Sequence, residues 1–319
     1  LERRGQAPSR AMRFFPASAV VVGSAAAAVV APIWTYALSL LLFGLPHVLV
    51  ELRYVDERFS ARLPRRTTLW LGAGLAGIVM IRALGLLAVG SSTQRITLEL
   101  ALGLCLVAVA YPLLINRRAS PLALVVGAAV LGGIVYAPVT TLVAMAFLHN
   151  LTPVGFLAER LRGSQRRVAM ASCLVVFVLI PSILLLAAPP ATYLVGPLSV
   201  GGLDNHLPAF VPPALLGTSF ADRLFTAAAY LQCMHYAVVL HVLPRLSGGT
   251  ETRSAVLPWP RPKVFVAAVA GIGLLAAIGF AADFSGTRSV YALFAAVHAW
   301  VEIPVLLIAC AVIPKMSKV

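Results

Sequence analysis

Six histidines stand in this 319-residue chain: His47, His149, His206, His235, His241 and His298. Two of them are followed four positions later by an acid, His47 by Glu51 in PHVLVEL and His298 by Glu302 in VHAWVEI. Helical positions i and i+4 share a face, so each pair is placed to act together. Neutral imidazole is the commonest nitrogen ligand of transition metals. A carboxylate beside it can coordinate, orient the ring or accept a proton. The chemistry on offer is metal chemistry, provided that helices carry the imidazoles to one point.

The composition says what those helices are. Hydrophobic residues make up 60% and charged residues 11% of the chain, with a mean hydropathy of +0.93. Globular proteins average roughly 45–50% and 25%. Soluble enzymes, disordered regulators, secreted disulfide modules and nucleic-acid binders are excluded as classes. The expected fold is an all-α polytopic integral membrane protein, a single transmembrane helical domain over 1–319. A crossing needs about 20 apolar residues. Candidates lie near 68–90, 97–115, 168–188, 223–243, 264–284 and 289–313. Two further stretches, 14–52 and 120–158, are near twice that length and carry Pro32 and Pro138 at their middles. Proline disfavours helix in the residue before it, so each reads as a hairpin of two spans, for about ten in all.

Charge supports that count. The net charge is +14. Hairpins, with the N-terminus inside, put 21 of the 25 basic residues on one side, and only Arg82, Arg95, Arg223 and Arg288 elsewhere. The long outer loop, 189–222, has no Lys or Arg. The positive-inside bias thus explains the surplus without an acidic partner or nucleic acid. Both termini are expected to be cytoplasmic, in a bacterial inner membrane. No cleavable signal peptide is expected.

At about 1.5 Å per residue, His149 falls near mid-membrane, His235 and His298 within roughly 4 Å of it, and His47 about 7 Å inward. His241 lies about 12 Å inward and about 120° around the helix from His235. His47, His149, His235 and His298 are therefore the preferred metal ligands, with His241 the less favoured alternative to His235. Glu51 and Glu302 are candidate catalytic or orienting carboxylates, although Glu51 also suits an interfacial partner for Arg53. Glu99 reads as a solvated helix end, and Arg82 as a snorkelling or paired cation. Asn150 and Gln232 are read as packing or ligand-bonding groups. Cys105, Cys173, Cys233 and Cys310 read as small buried residues within spans. The loop 189–222 is read as an extracytoplasmic cap or a membrane-dipping lid.

The segment Gly44-Leu45-Pro46-His47, with Glu51, resembles the Gly-x-Pro-His…Asp signature of the Brp/Blh family of bacterial membrane β-carotene 15,15′-dioxygenases. AAVHAWVEIP around His298 and Glu302 resembles that family's C-terminal histidine segment. The matched motifs cover about twenty residues; Val48 and Glu51 depart from the family's small residue and Asp, and His235 and His241 stand six apart rather than four. The resemblance implies histidines holding a non-haem Fe(II) that acts with dioxygen on a carotenoid-like substrate. The expected function is a metal-dependent membrane oxygenase with a lipophilic substrate. Alternatives are a di-iron or di-copper oxidase using the two His-Glu pairs, a b-type haem electron carrier and an ion- or proton-coupled transporter.

Overall fold

The computed structural model describes residues 15–117, 119–188, 200–246 and 256–312. Arg3, Arg4, Arg10, Arg13, Arg118, Arg253, Lys315 and Lys318, and positions 189–199 of the outer loop, lie outside the described residues. Every regular element among the described residues is helical.

Proline sets the main boundaries. Helix α1 (Phe15–Val30) is parted from α2 (Pro32–Phe59) by Ala31, held at φ −144° and ψ 66°. Ala137 does the same between α5 (Ser120–Tyr136) and α6 (Pro138–His149). Each proline then opens its helix, where its missing N–H leaves no bond unmade. Pro46 differs: α2 runs through it unbroken. Between them, α3 (Arg65–Leu86) and α4 (Ser92–Ala110) are joined by a tight turn with Gly90 at φ 73°. Ser91 and Gln94 close a capping box at the start of α4.

Helix α6 bends by 42° into α7 (Thr152–Arg160). Helix α8 (Gly163–Leu174) passes through a π turn, Val175–Leu179, into α9 (Ile180–Ala187). Helix α10 (Ser219–Ala237) passes through another, Val238–Val242, into α11 (Leu243–Leu246). Pro181 and Pro244 each stand two residues beyond the π turn. Neither can donate to the carbonyl four residues back, and the backbone widens there. Helices α12 (Pro262–Ala282) and α13 (Phe284–Val312) complete the chain.

Seven helical segments are long and apolar enough to cross a membrane, and the bent α6–α7 pair makes an eighth; α1 and α5 are shorter apolar helices. The exterior is apolar, with Val22, Leu69, Leu87, Val125, Leu186 and Leu275 each at least 64% exposed. That is the surface of a protein whose solvent is lipid. Enclosure is greatest for three of the histidine-bearing helices, α10, α13 and α2. In its most apolar stretch, 67% of α10 is buried, against 50% of α13, 44% of α2 and 11% of α3. One aromatic layer, Tyr54, Phe59 and Phe156, lies beyond these histidines towards the C-terminal end of α2. Another, Tyr36, Phe210, Phe225 and Phe284, lies towards its N-terminal end.

Candidate metal centre

Helix α2 supplies His47, α6 supplies His149 at its last residue, α10 supplies His235, and α13 supplies His298. One nitrogen from each lies within 4.8 Å of the others. Nε2 of His298 is 2.9 Å from Nε2 of His149 and 3.3 Å from Nε2 of His47. The rings of His149 and His235 are 4.7 Å apart between centroids. His47, His235 and His298 are at most 2% exposed.

The partners of the ring nitrogens show how the rings are held. Nδ1 of His47 donates to the Phe43 carbonyl at 3.1 Å, which leaves its Nε2 as a bare lone pair facing the cluster. Glu51 does not serve His47, its neighbour on α2. Its Oε2 accepts from Nε2 of His235 at 3.2 Å, across the bundle. Likewise Oε2 of Glu302 lies 2.9 Å from Nδ1 of His149, in ion-pair reach without hydrogen-bond alignment. Each carboxylate thus supports a histidine of another helix, in the manner of the acids that orient metal-ligating imidazoles.

The donor set fits a metal ion. Metal–nitrogen bonds of about 2.0–2.1 Å separate two ligands by roughly 2.9 Å at 90° and roughly 3.3 Å at the tetrahedral angle. The two Nε2 contacts of His298 have those lengths. A single Nε2 proton cannot satisfy both of them. Nδ1 of His235 is buried without a hydrogen-bond partner, and the buried carboxyl groups of Glu51 and Glu302 face each other. Leaving a polar group unpaired in a low-dielectric interior is costly. No Lys or Arg forms an ion pair with Glu51 or Glu302 among the described residues. Ionised together, Glu51 and Glu302 would balance one divalent cation held by four neutral imidazoles.

His241 stays apart. It sits in the π turn after His235, but its side is exposed and it is outside the four-histidine group. Three expectations are corrected. Glu99 is not a solvated helix end: it is 3% exposed and takes both Nε and a terminal nitrogen of Arg82, at 2.9 and 2.7 Å, and Nε1–H of Trp300 at 2.9 Å. Arg53 pairs with Glu57, not Glu51. Gln232 donates to Ser39 and the Tyr36 carbonyl, and Asn150 to the carbonyls of Ala146 and Phe147. Cys105 is exposed, against the expected burial, while Cys173 is buried. His206 is buried in the segment before α10, between the Val200 carbonyl and Arg288.

Sequence reading missed Tyr236, whose ring lies 4.1 Å from that of His47 and which shares a hydrogen bond with Tyr291. Adjacency to His235 was its only signal. A cavity of about 710 Å³ opens beside the cluster and reaches Tyr36, Phe210 and Arg288 at its other end. Its α6 wall includes Ala144, Ala146 and Leu148, each of them exposed. Compared with protein-family models, curated proteins and solved structures, the chain matches none of them.

Proposed function

We propose that this protein is an iron(II)-dependent oxygenase of a bacterial inner membrane, acting on an elongated lipophilic substrate. One observation carries the reading: four imidazoles from four helices converge beside a cavity lined mostly by apolar side chains. The chain crosses the bilayer about ten times with both termini cytoplasmic, which agrees with the one-sided basic residues. The likeness of GLPH…E and VHAWVE to the Brp/Blh segments supports the same chemistry.

Iron(II) held there would supply reaction with dioxygen. The chain's residues do the rest. His47, His149, His235 and His298 would hold the ion. The Phe43 carbonyl keeps the His47 proton on Nδ1, and Glu51 orients His235. Glu302, beside His149, completes the charge balance. Apolar side chains such as Val130, Met145 and Ile303 keep water from the cavity, and the α6 wall admits a substrate from the bilayer. Tyr236 packs on His47 and faces the same cavity.

A second reading has a specific basis. Glu51, His298 and Glu302 also offer three ligand atoms within 4.8 Å, as a dinuclear centre would require. Two divalent ions against two carboxylates leave an excess positive charge in the bilayer interior, so one ion fits better. The test is oxygen uptake by iron-loaded protein given long lipophilic substrates, a carotenoid and a carboxylate-bearing chain among them. Dioxygen-dependent substrate loss is expected. Iron-loaded protein that consumes neither substrate nor oxygen removes the oxygenase reading, and an intense visible band in the isolated protein would assign haem instead.

A further inference from the structure

We infer that the substrate of this cavity carries a carboxylate, held by Arg288 at the end remote from the histidines. The inference rests on the oxygenase reading for the reaction, but not for the binding.

Helices α2 and α13 hold both ends of the cavity. Tyr36 lies beside Arg288 at the outer end, and His47 meets His298 at the other. Between them Tyr291 packs against Gly44, at 3.5 Å from where a side chain there would begin. Arg288 and His298 are separated by about 15 Å along α13, and Tyr36 and His47 by about 16 Å along α2. The two helices therefore give the same length for the path. A linear molecule reaching from Arg288 to the histidines needs a chain of that extent.

Arg288 is the unusual residue on this path. Two arginines line the cavity, Arg82 and Arg288. The charge of Arg82 is taken up by the bidentate carboxylate of Glu99. Among the described residues no carboxylate pairs with Arg288. Its N–H donates to Nδ1 of His206 at 2.9 Å. His206 in turn donates Nε2–H to the Val200 carbonyl at 2.9 Å, so its Nδ1 carries a lone pair and no charge. A neutral imidazole therefore fixes the guanidinium without neutralising it. Arg288 is partly buried at the polar end of the cavity, and Tyr36 shares a hydrogen bond with it. A planar guanidinium whose partners are both neutral keeps its full charge for a carboxylate. Phe210 walls the same end.

The test uses purified full-length protein, radiolabelled palmitate and its methyl ester at pH 8, with iron measured in every preparation. Wild type should bind palmitate at least tenfold more tightly than the ester. Arg288→Gln should lose at least tenfold for palmitate and nothing for the ester, with Arg288→Lys in between and iron unchanged. Equal binding of acid and ester by wild type would overturn the inference. So would an Arg288→Gln variant that weakens both alike, because Arg288 would then be a strut for the cap. Iron-free wild type that still discriminates acid from ester would sink the oxygenase reading and keep the carboxylate site. Iron-replete wild type without discrimination would do the reverse.

Discussion

Nε2 of His149 and Nε2 of His298 lie 2.9 Å apart, although the residues are 149 positions apart in the chain. Two neutral imidazoles at that distance need one proton between them, yet His298 makes the same approach to His47. A single cation satisfies all three lone pairs at once.

The carboxylates give the first prediction. Glu51→Gln and Glu302→Gln keep the side-chain volume and remove the charge that supports His235 and His149. Loss of such a supporting acid typically weakens metal binding by about 10–100-fold. Each variant should lose iron to a competing chelator that leaves wild type loaded, while its helical circular dichroism stays unchanged. Chelator resistance equal to wild type would show that neither carboxylate supports the site.

Arg82 and Glu99 supply a second. The pair ties α3 to α4, and Trp300 extends it to α13, between His298 and Glu302. Arg82→Met strands a carboxylate that is 4% exposed. Removing one partner of a buried pair costs about 3–5 kcal/mol, and the partial exposure of Arg82 points to the lower end. Thermal unfolding in detergent should drop clearly for Arg82→Met and recover in Arg82→Met/Glu99→Met. Failure of the double variant to recover would show that the arginine acts by packing alone.

A third concerns Gly103. A Cβ there would clash with the Trp300 ring, so only glycine lets α4 approach α13 this closely. Gly103→Ala should destabilise by about 1–3 kcal/mol, the usual cost of overpacking, and shift the tryptophan emission. Gly132→Ala, where a Cβ meets nothing within 4 Å, is the control and should do neither.

His206 gives a pH dependence. Burial, and the neighbouring Arg288 charge, hold its imidazole below the ordinary value of 6.5, while the bond to the Val200 carbonyl acts in the other direction. The folded state therefore binds fewer protons than the unfolded one below that value. Its contribution is complete above pH 6.5 and is lost as pH falls towards the depressed folded value. The melting temperature of wild type should fall more steeply between pH 7 and 5 than that of His206→Gln. Parallel slopes would show that His206 does not carry this dependence.

Much of this was legible from residue types. Pro32 and Pro138 fixed two helix breaks because proline acts on its immediate neighbour. The four histidines were separable from His206 and His241 by depth and helical phase alone. What the sequence did not carry was partnership between helices. The i, i+4 spacing places Glu51 beside His47, but the packing of α2 against α10 gives it to His235. Glu99 looked solvated because its depth was near an outer boundary, yet Arg82 and Trp300 come from other helices to enclose it. Side-chain rotation about the bundle axis decides such pairings, and periodicity along one helix does not encode it.

The central claim is one metal ion on four histidines, and elemental analysis of purified protein tests it most directly. Wild type and His241→Ala should each hold about one iron per chain, and His47→Ala, His149→Ala, His235→Ala and His298→Ala should each hold far less. Two ions per wild-type chain would point to the dinuclear centre. Wild type that stays metal-free after anaerobic loading with iron(II), or four variants that keep a full complement, would contradict the claim.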